Sequence, residues 1–225
     1  MNLIYRGKTK DVYDNLDGTY TLQLKDDATG KDGVFDPGEN AVGLSIVGFG
    51  RESLRLTGYF FDMLMKEAVP THYIDCDMEK VSMRVKPAKA FGKGLEFICR
   101  PKAGGSFIRR YGSYAQAGDD LNYFVEVTLK DDERGDPPIT KDALEALGIM
   151  TADEYETCKA LTQKITRLIC ADLSEKGLQL QDIKLEFGKN GGEILLIDEI
   201  SGGCMRVYEN ARQLQPMELT KFILK

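Results

Sequence analysis

The sequence predicts an α+β protein of two lobes built on antiparallel sheets. Three observations predict it. Short alternating strands separated by polar turns begin at residue 3, a long amphipathic helix pattern runs from Thr151 to about Lys176, and a hairpin pattern occupies Ile183 to Ile197. Pro87 to Gly94 interrupts the pattern and reads as a hinge, dividing an N-terminal lobe at residues 1–86 from a C-terminal lobe at residues 87–225.

The elements follow in order. Leu3 to Arg6, Val12 to Asp14 and Tyr20 to Lys25 read as strands of an antiparallel sheet, with Asn15-Leu16-Asp17-Gly18 as the clearest turn. Ala28 to Gly50 is rich in glycine and acid, including Pro37-Gly38, and is expected to be irregular loop with short extended pieces, able to fold over a ligand. Leu56, Phe60, Phe61, Leu64 and Met65 recur at helical spacing within Glu52 to Ala68, and Pro70 stops the pattern. Val81 to Val85 and Leu95 to Cys99 read as strands of a second sheet, and Phe124 to Leu129 as another strand.

Thr151 and Glu154 form a capping-box signature. The stripe Tyr155, Cys158, Leu161, Ile165, Leu168, Ile169 and Leu173 then marks the buried helix face, and Gly177 marks its end. In the hairpin, Ile183, Leu185 and Phe187 alternate with Lys184 and Glu186. Asn190-Gly191 makes the turn, and Met217 to Leu224 reads as a short final helix.

Composition narrows the chemistry. The chain has 225 residues, 42% hydrophobic and 29% charged, which is ordinary for a globular protein. Neither an 18-residue apolar run nor a signal-peptide pattern occurs, so the expected location is the cytoplasm, with no membrane partner. A net charge of −6 argues against a nucleic-acid partner. Five scattered cysteines without a C-x-x-C pair point to buried reduced thiols, and the lone histidine, His72, argues against histidine triads and multi-histidine metal centres.

Two local basic stretches stand out within this acidic chain. Gly7-Lys8-Thr9-Lys10 places a glycine, a hydroxyl and two lysines in a turn, without the P-loop spacing; its plainer reading is a solvated basic turn. Arg100 to Arg110 combines Gly104-Gly105-Ser106 with several guanidiniums and follows a strand directly, a composition that suits a phosphate or carboxylate. Opposite in charge, Asp198-Glu199 closes the apolar run Ile194 to Ile197, next to the strand carrying Glu186. A hard divalent cation such as Mg²⁺ fits Glu186 and Asp198, and solvated surface acids are the alternative.

Taken together, Y-R-G-K-T-K-D-V-Y at Tyr5 to Tyr13, P-T-H at Pro70 to His72, G-S-F-I-R-R-Y-G at Gly105 to Gly112, L-K-D-D-E-R-G-D-P at Leu129 to Pro137, K-L-E-F-G at Lys184 to Gly188 and D-E-I-S at Asp198 to Ser201 resemble, in that order, the SAICAR synthetase family of purine biosynthesis. The resemblance covers nearly the whole chain. It implies a two-lobed α+β fold with an ATP-grasp or kinase-like nucleotide cleft. It also implies ATP-dependent joining of the carboxylate of carboxyaminoimidazole ribotide to the amine of L-aspartate through an acyl phosphate.

Residue by residue, the resemblance implies that Gly7, Lys8, Thr9 and Lys10 contact the ATP phosphates and that Glu186 and Asp198 hold Mg²⁺. Lys130 lies near the nucleotide and Lys184 on the same cleft wall, both taken as catalytic, while Arg100, Gly105, Ser106, Arg110 and Arg206 hold the ribotide, chiefly its phosphate. Small-molecule substrates and a homodimer are the implied partners.

Three departures from the family pattern fall on the substrate side. After D-E-I-S the family usually has Pro-Asp and a hydroxyl residue before the arginine, where this chain has Gly202-Gly203-Cys204-Met205-Arg206. Pro101-Lys102 follows Arg100 in place of the usual pattern, and Phe49 stands where a lysine is usual. A ligase of the same family with another carboxylate or amine is therefore the alternative reading. A non-catalytic nucleotide sensor is a third.

Overall fold

The structure is a computed structural model describing residues 1–36 and 41–224; Pro37-Gly38 of the glycine-rich stretch lies outside the described residues. The chain forms two compact units. Met1–Lys89, Gly188–Gly203 and Gln215–Lys225 make the first, and Ala90–Phe187 with Cys204–Leu214 the second. The chain first passes from one unit to the other between Lys89 and Ala90, inside the segment Pro87 to Gly94. The later segments 188–203 and 215–225, however, belong with the N-terminal unit, an arrangement that a single cut in the sequence does not contain.

The first unit opens with β1 (Asn2–Arg6), β2 (Lys10–Asp14) and β3 (Tyr20–Leu24), an antiparallel meander in which Val12 lies opposite Leu22. In the glycine-rich stretch the short extended pieces expected there are paired with one another. They form a small sheet of β4 (Asp27–Lys31), β5 (Val34–Phe35) and β6 (Val42–Ser45), with β4 in the middle. Gly30 and Gly43 permit this pairing, because a Cβ on either would overlap the facing backbone.

Helix α1 (Phe49–Lys66) starts three residues earlier than its apolar periodicity suggests. The cause is a remote cap. Gly48 stands at the N-cap with φ 83° and no side chain of its own, and the Asp26 carboxylate accepts from the N–H groups of Gly48 at 3.0 Å and Gly50 at 2.9 Å. The helix buries Leu54, Leu56, Phe60, Phe61 and Leu64 and packs against β3, β4 and the next strand, β7 (Tyr73–Asp77).

Strand β8 (Ser82–Val85) corrects the sequence reading, which placed it in a second sheet. The Asp77 carboxylate accepts from the N–H groups of Glu79 and Lys80, closing a turn that folds β8 back on β7. β8 then pairs with β3, and the first sheet has the order β1-β2-β3-β8-β7.

The second unit begins at Ala90, within β9 (Lys89–Ala90). It contains β10 (Leu95–Lys102), α2 (Gly105–Tyr111), β11 (Asp120–Leu129), α3 (Lys141–Ala146), α4 (Ala152–Glu175) and most of β12 (Leu178–Asn190). The expected capping box is present: Thr151 and Glu154 satisfy each other's backbone N–H groups at 3.2 and 2.9 Å. Of the predicted stripe, Cys158, Ile165, Ile169 and Leu173 are buried, and α4 packs on β10 and β11. Strand β13 (Glu193–Ile197) pairs with β12 beyond the Asn190-Gly191 turn; β14 (Met205–Glu209), β15 (Arg212–Gln213) and α5 (Pro216–Ile223) complete the chain. In the second unit the strand order is β11-β10-β12-β14-β15, so β12 lies between β10 and β14.

Of the five cysteines only Cys99 and Cys158 are fully buried, and burial pushes their thiols up to about 11 and about 12. Those two are inert near neutral pH.

The sheet of the second unit has two chemically distinct faces. Phe97, Cys99, Val125, Val127, Ile183, Leu185 and Phe187 alternate along β10, β11 and β12 and are all buried. Phe97 approaches Tyr155 of α4 at 6.2 Å, which identifies this as the face under the helix. The intervening positions carry Glu96, Arg100, Glu126, Thr128, Asp182, Lys184 and Glu186.

Candidate functional site

In the first unit the basic turn meets the D-E pair. Gly7 donates to the Lys10 carbonyl at 2.9 Å, and a Cβ on Gly7 would lie 2.7 Å from that oxygen, so the turn requires glycine. Lys25 braces it, donating to the Gly7 carbonyl at 2.9 Å and pairing with Asp11. Lys8 is exposed on the turn and Thr9 half-buried. The Lys10 ammonium pairs with both Asp198 and Glu199.

Asp198 adopts φ 70°, a conformation that costs a non-glycine residue about 1–3 kcal/mol and that the surrounding contacts must hold. His72 supplies one such contact, its Nε2 lying 3.1 Å from the Asp198 carbonyl. The P-T-H segment is itself tied to β13, by Leu196 N–H to Pro70 O and His72 N–H to Leu196 O, both 2.9 Å. Because the partner is a carbonyl, Nε2 carries the proton in the neutral ring. Burial pushes the imidazole down to about 4, outweighing the Asp198 contacts that favour its charge, so His72 is a neutral strut. Glu199 moves the other way: burial first and then the neighbouring Asp198 charge push it up to about 7, against the pull of Lys10.

The second unit carries two groups on its polar sheet face. Lys130 pairs with Glu186 at 2.5 Å and Lys184 with Glu96 at 2.8 Å, while Thr128 donates to Glu96 at 3.1 Å. Glu96 and Glu186 are directly opposite across β10 and β12, an unfavourable juxtaposition of like charges that the two lysines offset. Burial works against the Lys184 ammonium, and its pairing with Glu96 more than reverses that, so its pKa is raised and it stays charged. Lys130 is held by its own N–H to the Gly94 carbonyl at 3.1 Å. The following loop closes on itself, with Asp131 N–H to Asp136 at 2.6 Å and Arg134 to Asp131 at 2.8 Å.

The second group surrounds Arg100, which is 2% exposed. Its Nε donates to Glu126 at 2.8 Å, Nη1 to Asp182 at 2.8 Å and Nη2 to the Ser106 hydroxyl at 2.9 Å. Arg206 donates to both oxygens of Asp182, at 3.1 and 3.0 Å, and Arg110 pairs with Glu126. Gly105, at φ 52°, begins α2 where a Cβ would come 3.0 Å from the Arg206 guanidinium.

The predicted residues thus gather in three groups. Gly7, Lys8, Thr9, Lys10 and Asp198 belong to the first unit; Lys130, Lys184 and Glu186 form one group of the second, and Arg100, Gly105, Ser106, Arg110 and Arg206 the other. Sequence reasoning missed Glu96, Glu126 and Asp182, and it named no partner for Glu199 or His72. The available signal was a charged residue interrupting each otherwise buried strand.

The sequence model of the SAICAR synthetase family matches residues 3–222. The chain belongs to the SAICAR synthetase family. It is 57% identical, over the whole of both chains, to the phosphoribosylaminoimidazole-succinocarboxamide synthase of Clostridium tetani. To the enzyme of that name from Thermotoga maritima it is 36% identical, over 90% of this chain and 84% of the relative. A SAICAR synthetase (Type-2) solved in complex with ADP superposes with TM-score 0.83 at 29% identity, covering 98% of this chain and 91% of its own. A further SAICAR synthetase structure gives TM-score 0.81 at 34% identity over 93% and 87%. The α+β class, its antiparallel sheets and the family expected from the motifs are therefore those of the protein. Among the described residues no helix is long and apolar enough to cross a membrane.

Proposed function

We propose that the chain is an ATP-dependent carbon–nitrogen ligase that joins the carboxylate of carboxyaminoimidazole ribotide to the amine of L-aspartate, giving SAICAR, ADP and phosphate. The observation that carries this reading is the full-length match to the family together with the cationic and carboxylate groups at its motif positions. A carboxylate oxygen of the ribotide attacks the γ-phosphorus of ATP and ADP departs. The aspartate amine then attacks the acyl phosphate carbonyl, phosphate leaves with the bonding pair, and the nitrogen loses a proton. Phosphoryl transfer depends on positioning and neutralisation of charge, so lysines, arginines and backbone donors are the parts this reaction needs.

Within this reading, the Gly7 to Lys10 turn takes ATP phosphate oxygens, with Lys130 a further phosphate cation and Lys184 a fixed charge near the reacting carboxylate. Arg100, Ser106, Arg110, Arg206 and the Gly105 backbone hold the ribotide phosphate. Magnesium ligation is proposed for Glu186 and Asp198, each on the chemistry of its own group. Among the described residues no cluster of three or more histidine, cysteine or acidic side chains could hold a metal alone. That fits Mg²⁺, which takes one or two carboxylates and fills its remaining positions with water and phosphate. Bound there, the ion would neutralise charge on the transferring phosphoryl group. A lysine accompanies each carboxylate in the structure, Lys10 at Asp198 and Lys130 at Glu186, so both carboxylates already sit where a cation is stabilised. A cytoplasmic homodimer belongs to the same proposal.

The test is ADP release with Mg-ATP and L-aspartate, with and without carboxyaminoimidazole ribotide, while the product mass is read in parallel. Release that depends on the ribotide and yields the succinocarboxamide supports the proposal. Background release with all three substrates present refutes it.

A further inference from the structure

We propose that Asp182 is a positioning residue that presets Arg100 and Arg206 as one unit for the phosphate of the ribotide; this rests on the assignment of that arginine group under Proposed function. Asp182 is on β12, between the strands that carry the two arginines: Arg100 on β10 and Arg206 on β14. The register makes Asp182 the direct partner of Arg206, and the neighbouring Ile183 the partner of Cys99, so the carboxylate reaches both arginines from the central strand. The pairing with β14 shifts between Leu180 and Asp182, at Gln181. Gln181 in turn lies against Gly104, where a Cβ would overlap its amide, so the irregularity also seats the glycine loop.

Both oxygens of Asp182 are committed to arginine. Oδ2 accepts from Arg100 Nη1 at 2.8 Å and Arg206 Nη1 at 3.0 Å, and Oδ1 accepts from Arg206 Nη1 at 3.1 Å. At 4% exposure the carboxylate acts through these guanidiniums rather than by touching substrate. Two adjacent guanidiniums repel each other, and one carboxylate held between them offsets that repulsion while fixing the direction of each planar fork. Glu126 does the same on the far side, linking Arg100 to Arg110. Three arginines against two carboxylates leave the group one positive charge in excess, suited to an incoming phosphate. Since the side chains are already ordered, that anion does not have to immobilise them on binding.

The experiment compares Asp182→Asn, Asp182→Glu and Arg206→Gln in the full chain, with KM for each substrate, kcat and the urea unfolding midpoint. The expected result for Asp182→Asn is a ribotide KM raised about 10–100-fold, since misplacement by an ångström is enough for such losses. KM for ATP and for aspartate should stay within about twofold and kcat should change far less than the ribotide KM. Asp182→Glu keeps the charge and lengthens the arm by a methylene, so it should fold and still raise the ribotide KM several-fold; it decides the matter where the asparagine variant does not fold. An unchanged ribotide KM in a folded Asp182 variant, or a parallel rise of all three KM values, overturns the proposal. Arg206→Gln separates the two levels. If it raises the ribotide KM while the Asp182 variants do not, only the positioning role falls; if it too leaves that KM unchanged, the assignment of the arginine group falls with it.

Discussion

His72 offers a direct test of how the D-E pair is held. The ring is 4% exposed, packs 5.7 Å from Phe61 and donates to the Asp198 carbonyl, with its pKa pushed from 6.5 down to about 4. A group whose folded pKa is depressed contributes stability above its unfolded value and loses it as pH falls through the folded one. Folding is therefore weakened by His72 progressively from about pH 6.5 to pH 4, reaching ~3 kcal/mol when fully expressed, of which ~2 kcal/mol appears by about pH 5. His72→Gln keeps a donor for the carbonyl but has nothing to titrate.

Urea unfolding of both proteins at several pH values between about 7.5 and 4.5 reads the difference. Glu199 has the opposite sign: with its pKa raised to about 7, its contribution declines as pH rises from about 4.5 to 7. Where the two proteins share this term, it cancels in the comparison. The variant should gain on the parent by ~2 kcal/mol between about pH 7.5 and pH 5. Parallel stability curves would show that His72 is protonated in the fold or open to water, and would remove it as the strut for Asp198.

Three further predictions follow from particular contacts. Glu186→Gln and Asp198→Asn should leave unfolding midpoints near the parent, asparagine being well suited to the left-handed backbone at 198, yet reduce ribotide-dependent ATP turnover by at least ~100-fold; unchanged turnover would reject the metal assignment. Gly202→Ala would place a Cβ 2.7 Å from the Pro216 Cα at the start of α5, and the overlap should cost ~1–3 kcal/mol in urea unfolding, with an unshifted midpoint showing that the helix yields. Thr151→Ala removes one half of the capping box and should cost ~1 kcal/mol by the same assay, with amide exchange increasing in the first turn of α4; no change in either would mean that the cap is idle.

Elements whose cause is local were legible in the sequence. Helix α4 shows its cap, its stripe and its terminating glycine within one segment, and the β12–β13 turn shows its Asn-Gly. Elements whose cause is remote were not. The start of α1 depends on Asp26, more than twenty residues earlier, and β4 to β6 form a sheet because Gly30 and Gly43 permit the close approach of backbones, whereas glycine content alone suggests loop with short extended pieces. Strand β8 joined the first sheet through a turn built by Asp77, a residue that carries no hairpin signal of the Asn-Gly kind.

The site follows the same rule with one refinement. Its residue types were legible, because cations in a glycine turn and acids at the end of an apolar run suggest phosphate and metal chemistry wherever they fold. Its pairings were not, since Lys10 meets Asp198 across 188 residues and Arg100 meets Asp182 across 82. Period-two alternation supplies the intermediate step. Glu96 and Arg100 on β10, Glu126 and Thr128 on β11, and Asp182, Lys184 and Glu186 on β12 occupy alternate positions, so each strand declares a polar face before any partner is known. Three such strands under one helix must turn their apolar faces towards it, which brings the polar faces together on the other side. Only the register remains to be supplied, and it is what makes Glu96 oppose Glu186 and Asp182 oppose Arg206. A shift of one residue in β12 would put Asp182, Lys184 and Glu186 under α4 and expose Ile183, Leu185 and Phe187, so the packing that forms the core also sets the alignment of the arginine group.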